Sequence, residues 1–308
     1  MSARAAPSRA LIAGAGALPA LIAAEQETPP FVAALDGFSP EGLLVDQSFR
    51  LEELGTLLEA FRARGIEQVC LLGKVARPVI DPARIDAATA PLMPGLIAAM
   101  AQGDDAALRA VIEVIEGAGF KVVGAHALAP RLLPEPGLLE GAVSEANRKD
   151  AARGAAIICA LGAADIGQAC IVKDGQALAV EALPGTDWMI RSLLRESFEA
   201  RAPDFSDPIG MAADWLTGPA AEKPRSVARR DPALPSGGIL YKAPKPGQEL
   251  RVDMPTIGPE TVAAAIEAEL EGIVIEAGAV LMIDEERCRA LAREGGVFLW
   301  VREGALAR

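Results

Sequence analysis

Residues 241–259 hold the densest chemistry in the chain: Tyr241, Lys242, Lys245, Gln248, Arg251, Asp253 and Thr256, separated by Pro244, Pro246, Gly247, Pro255 and Gly258. An ordinary surface loop rarely combines such mixed polarity with so stiff a backbone, so the segment reads as a binding or reacting site. Lys242, Lys245 and Arg251 can neutralise phosphate oxygens. Asp253 can hold Mg2+ or take a proton from water. Thr256 can bind metal or phosphate, or cap a helix that begins near Pro259.

Two shorter clusters lie upstream. Asp165 and Gln168 bracket Gly167 inside an apolar region, and Gly185, Thr186 and Asp187 follow a strand that carries Val180 and Glu181. Both put carboxylate, amide or hydroxyl oxygens at strand ends, as oxygen-ligand metal sites do. Each is equally readable as a turn. The candidate roles are Asp253 as metal ligand or water-activating base, with Asp187 and Thr186 as secondary metal or water contacts. Asp165, Gln168, Lys245, Gln248 and Thr256 are candidate substrate contacts, and Lys242 and Arg251 candidate phosphate-neutralising groups.

At the other end of the chain, Gly14 and Gly16 sit between a strand and a helix, where bare backbone can approach a nucleotide phosphate. The third glycine of a dinucleotide fingerprint is missing, since position 19 is Pro, and no phosphate-loop lysine follows. Lys74 and Arg77 come just after another strand. Strand C-termini face the ligand crevice of a doubly wound sheet, so this pair could grip a pyrophosphate, or be solvated surface charge. Asp104 and Asp105 sit where a helix starts and read first as capping and dipole compensation. His126 is the sole histidine, which excludes a Ser-His-Asp triad and a multi-histidine zinc site.

The elements that must carry these groups alternate. Residues 9–24 read as strand, turn and helix, 30–36 as a strand, 51–64 as a helix, 68–73 as a strand, 106–116 as a helix and 120–124 as a strand. That rhythm predicts a parallel sheet with helices on both faces, a Rossmann-like α/β domain over residues 1–129. The Pro- and Gly-rich stretch 130–144 reads as a linker. Residues 145–308 form the second, catalytic domain, of mixed α/β or α+β class. It opens with a polar helix at 145–153 and an apolar run at 155–161. A β-hairpin turning at Asp174 and Gly175 follows, then a mobile loop over 218–238, strands at 239–242, 272–276, 279–283 and 297–300, and a helix at 259–270.

The net charge of −12 over 308 residues argues against a phosphate-tracking nucleic-acid groove, though not against a local basic pocket. Cys70, Cys159, Cys170 and Cys288 form no C-x-x-C pair and read as buried free thiols, the first three in strand-like runs, which suits a reducing cytoplasm. No signal peptide is evident, and no apolar run approaches the ~18 residues of a membrane span.

These segments meet a family. Residues 14–19, 71–78, 103–109, 165–168, 185–190, 275–284 and above all 245–258 resemble the LpxI-type UDP-2,3-diacylglucosamine pyrophosphatases of Gram-negative bacteria. The likeness covers most of the chain. It implies a step of lipid A synthesis: Mg2+-dependent hydrolysis of UDP-2,3-diacylglucosamine to 2,3-diacylglucosamine 1-phosphate (lipid X) and UMP, the substrate held between two domains and a metal-binding, catalytic carboxylate at Asp253. Two departures stand out. Pro184 occupies the place of a usual Glu, which removes a carboxylate there, and the segment 197–236 is longer than usual. Acyl chains would lie in an Ala/Leu/Ile-lined chamber between the domains, with contact to the inner membrane as a peripheral protein. A homodimer is compatible with the sequence. The rival readings are a nucleotide-cofactor oxidoreductase, suggested by the turn at Gly14, and a non-catalytic UDP-sugar or lipid carrier.

Overall fold

A computed structural model describes residues 8–76, 78–198 and 226–304. Arg77 and most of the 197–236 segment therefore lie outside the described residues.

The first sheet has five strands, β1 (Arg9–Ala13), β2 (Phe31–Leu35), β3 (Gln47–Phe49), β4 (Gln68–Leu72) and β5 (Lys121–Val122), all parallel in the order β3-β2-β1-β4-β5. Its helices are α1 (Leu18–Ala24), α2 (Leu54–Ala63), α3 (Met93–Met100), α4 (Asp104–Gly117) and the short α5 (Ala125–Leu128). Strand side chains alternate between faces, so neighbours in β1 and β4 enter different cores. Ala10 and Val69 pack under α2, α3 and α4, where Phe61 meets Phe31 and Phe120 edge-on at 5.8 and 6.0 Å. Leu11 and Cys70 pack on the opposite side with Ile22 of α1 and Ala125 of α5. Helices thus cover both faces, as the alternation predicts. The strand β3 and the helix α3 are additions to that reading.

The second sheet is mixed: β6 (Gly137–Glu140), β7 (Ala169–Lys173), β8 (Gln176–Val180), β11 (Ile239–Lys242), β13 (Gly272–Glu276) and β15 (Phe298–Arg302), in the order β6-β15-β13-β11-β7-β8. The central β11, β13 and β15 run parallel, and the outer strands run antiparallel to their neighbours. One face packs α6 (Glu145–Gly162). The other packs α7 (Thr186–Arg191), α8 (Pro259–Glu267) and α9 (Glu285–Gly295). Two small pairs complete it, β9 (Leu194–Phe198) with β10 (Ser226–Arg230), and β12 (Thr256–Ile257) with β14 (Leu281–Met282).

Three expectations need correction. The 130–144 stretch is not a plain linker, because residues 137–140 are the edge strand β6 of the second sheet. The polar helix and the apolar run after it are one helix, α6, begun by a reciprocal cap between Ser144 and Asn147. Cys159 therefore sits on a helix and is exposed, whereas Cys70, Cys170 and Cys288 are buried. Part of the loop expected over 218–238 is strand β10. The Asp174–Gly175 turn is as read: both residues have positive φ, and buried Asp150 accepts their two amide N–H groups at 3.0 and 2.7 Å. Among the described residues no helix is long and apolar enough to cross a membrane.

Candidate active site

Alternation along β11 decides where the central cation goes. Tyr241 faces α6, so Lys242, the last residue of the strand, faces α7 with Leu240. Lys242 is only 6% exposed and its Nζ donates to Thr186 Oγ1 at 2.9 Å, in the first turn of α7. The Thr186 hydroxyl in turn donates to Glu181 Oε1, just past the end of β8. The other Glu181 oxygen accepts Gln168 N–H at 2.8 Å. Gln248 closes the chain: its Nε2 reaches Gln168 Oε1 at 2.9 Å, Asp253 Oδ2 at 2.6 Å and the Asp253 carbonyl at 2.6 Å. A connected polar network therefore runs from Lys242 through Thr186, Glu181, Gln168 and Gln248 to Asp253.

Charges tune this network. Burial pushes the Lys242 ammonium below its ordinary pKa; Glu181, Asp187 and Asp253 oppose the shift and Lys74 adds to it. Burial likewise raises Asp253, with Asp105 adding to the shift and Lys245, Gln248 and Lys242 opposing it. Lys74 and Asp105 belong to the first sheet's half of the chain and Lys242 and Asp253 to the second, so both halves act on one site.

The contacts between them agree. The segment that follows β11 crosses the first half: Arg109 donates to the Gly247 carbonyl, Arg251 pairs with Glu116 at 2.7 Å, and Met254 and Leu281 join the core of β1 and α1. Gly103 fits against Asp165, whose carboxylate would lie 2.9 Å from any Cβ placed there, and Gly124 packs against the Arg251 backbone. A small cavity of about 240 Å³ lies at this junction, lined by Gln102, Asp105, Asp165, Lys245 and Gln248 among others.

Of the residues singled out from sequence, Lys242, Thr186, Gln168, Gln248 and Asp253 form the network, and Asp187 and Lys74 lie close enough for Lys242 to feel them. Lys245 pairs with Asp165 at the edge. Arg251 stands apart, its guanidinium held by Glu249 at 2.8 Å and by Glu116, which raise its pKa further. The Thr256 hydroxyl donates to the Met254 carbonyl at 3.2 Å, and Gly258 occupies the N-cap of α8.

Gly14 has a structural cause. A Cβ there would meet Lys74 O at 2.6 Å, because the turns after β1 and β4 touch backbone to backbone. Two amides of the turn are already used, Gly14 N–H on the Leu72 carbonyl and Ala15 N–H on that of Lys74. Gly16 has positive φ and open space beside it. Sequence reasoning passed over Glu181, which supplies Thr186 with a carboxylate despite Pro184. Its signal was a lone acid at the end of a strand whose neighbours are apolar.

The two sheets, the cleft between them and the Lys–Asp network define a two-part α/β protein with a polar, doubly charged site at the junction. Comparison with known proteins gives the family. Residues 8–132 match the model of the LpxI N-terminal domain, and residues 135–205 and 219–300 that of the LpxI C-terminal domain. The chain is 36% identical over 296 residues to the UDP-2,3-diacylglucosamine pyrophosphatase LpxI of Caulobacter vibrioides, covering 94% of this chain and 95% of that protein. This chain belongs to the LpxI family.

Proposed function

We propose that this protein hydrolyses the pyrophosphate of UDP-2,3-diacylglucosamine in lipid A synthesis, giving UMP and 2,3-diacylglucosamine 1-phosphate. The observation that carries the reading is the buried Lys242–Asp253 network with Lys74 beside it, together with likeness to the Caulobacter enzyme over nearly the whole chain.

Pyrophosphate hydrolysis asks for charge neutralisation and a placed water. Lys242 and Lys74 supply cations from opposite sides of the junction, and Lys245 a third. Asp253 takes the proton as a water oxygen bonds to one phosphorus and the bridging P–O bond breaks. A carboxylate made more basic by burial suits that task.

The donor set also fits Mg2+. The described residues hold no cluster of three or more metal-type side chains, but Mg2+ needs only one or two carboxylates and keeps several waters. Asp253 and Asp187, both acting on Lys242, would hold it. When bound it would offset the developing charge on the phosphate oxygens.

Val75 and Val79 are exposed near Lys74, and Leu183 and Trp188 beside Thr186 and Asp187. These apolar side chains on both rims suit acyl chains and an approach to a membrane surface. The test is release of UMP from UDP-2,3-diacylglucosamine with and without Mg2+, against UDP-GlcNAc. Turnover of the acylated substrate that needs Mg2+ is expected, and equal kcat/KM for the two sugars would refute acyl recognition.

A further inference from the structure

The direction of each hydrogen bond around Thr186 is forced. An ammonium can only donate and an ionised carboxylate can only accept, so the hydroxyl between Lys242 and Glu181 must donate to Glu181 and accept from Lys242. Glu181 is 7% exposed, and its second oxygen is fixed by the Gln168 amide. Within the network it stands between Thr186 and Gln168, with both oxygens engaged.

We propose that Glu181 is a positioning residue for the hydrolytic site: it takes the Thr186 hydrogen, turns the hydroxyl lone pairs onto Lys242, and so aims the remaining Lys242 N–H groups at the phosphates. The inference rests on the hydrolase reading above.

Glu181→Gln keeps the shape and removes the charge. Its amide has one oxygen for two donors, Gln168 N–H and the Thr186 hydroxyl, so one of them loses its acceptor. Thr186→Val removes the relay atom. Each is expected to lower kcat by about 10–100-fold, the loss of one charge-assisted hydrogen bond, with KM little changed. Because Glu181 acts through Thr186, the double variant should be no slower than the slower single one, since effects within one network do not add. Glu181→Asp, which keeps the charge, should recover part of the rate.

Additive losses in the double variant, or Glu181→Asp no better than Glu181→Gln, would overturn the proposal and leave Glu181 a structural acid. If Glu181→Gln does not fold, Thr186→Ser decides. It keeps the hydroxyl and should be faster than Thr186→Val, and a loss equal to that of Thr186→Val would overturn the relay. If wild type does not turn over the acylated nucleotide sugar, the hydrolase reading falls separately. The same cycle is then read on calorimetric affinity for inorganic pyrophosphate: coupled losses uphold the relay, and additive losses or none overturn it.

Discussion

Replacing Asp253 with Ala should abolish turnover while leaving the fold almost untouched, and the structure gives both magnitudes. Loss of a general base typically lowers rate by ~10²–10⁴-fold, and loss of a metal ligand with it should add to that. The structural loss is small. The side chain accepts one hydrogen bond, from Gln248 Nε2, and that amide also reaches Gln168 Oε1 and the Asp253 carbonyl, which survive the substitution. No buried donor is orphaned, so the cost should stay near the ~1 kcal/mol of an ordinary hydrogen bond. In a chain of this size that is a melting shift of about 1–2 °C. Burial raises the Asp253 pKa, so its ionised form is disfavoured in the fold, and deleting the charge offsets part of even this loss. Asp253→Asn, nearly isosteric and still an acceptor for Gln248, should melt at or above wild type and be equally inactive. The assay is UMP release with Mg2+ beside a thermal melt of each protein. Near-normal turnover of either variant would remove Asp253 from the chemistry, and unfolding of Asp253→Asn would reassign it to structure.

Three further outcomes follow from the same geometry. Activity should be bell-shaped in pH, with an acid limb displaced above 3.8 by Asp253 and an alkaline limb beginning below 10.5 as Lys242 loses its proton; Lys242→Met should abolish rate at every pH. The Arg251 hydrogen bond holds Glu249 below its ordinary 4.5, so the pair's stabilisation is complete above that value and is lost as pH falls through the depressed one. Arg251→Gln should therefore flatten the acid side of a melting profile and leave kcat nearly unchanged; a large kcat loss would return Arg251 to the phosphates. Gly14→Ala forces a Cβ to within 2.6 Å of the Lys74 carbonyl and should destabilise by about 1–3 kcal/mol, read by denaturant melt, with activity falling as Lys74 moves.

Much of the fold was legible because period and punctuation agree locally. Gly65 and Gly119 end helices and precede β4 and β5, and the Asp174–Gly175 turn fixes β7 against β8. Residues 137–140 read as a linker because β6 is an edge strand whose burial comes from β15, far off in sequence. Cys159 was misplaced because an apolar run of helical length carries no sign of which side meets the core. Within the site, Lys242, Gln248 and Asp253 were visible because one constrained segment holds them all. Arg251 looked identical in kind, and the fold engages its guanidinium with Glu249 and with Glu116 of α4. Glu181 was invisible as a site residue because its importance lies in the register of the β7–β8 hairpin, which places it over Gln168 and Thr186.

An acidic chain that binds a dianionic pyrophosphate poses a problem that the site resolves locally. Lys242 would be costly to keep charged at 6% exposure, and burial and Lys74 both push its proton off. Glu181, Asp187 and Asp253 oppose that loss. Those carboxylates do not cancel the attraction for phosphate equally. Glu181 is buried with both oxygens engaged, by the Thr186 hydroxyl and the Gln168 amide, so its field supports Lys242 without lying open to an anion. Asp187 and Asp253 also act on Lys242, and beside a phosphate they would repel it unless a cation lay between. With Lys245 paired to Asp165, Asp187 and Asp253 stand against Lys242 and Lys74, so on the proposed reading the site is close to neutral alone and should bind a pyrophosphate best together with a divalent ion. That reasoning orders the ligands: pyrophosphate affinity should rise when Mg2+ is added, and in Asp253→Asn the Mg2+-free affinity should exceed that of wild type. Calorimetry with and without EDTA measures both. Wild-type affinity indifferent to Mg2+, with Asp253→Asn no tighter in its absence, would show that the carboxylates do not face the anion and would move the metal elsewhere.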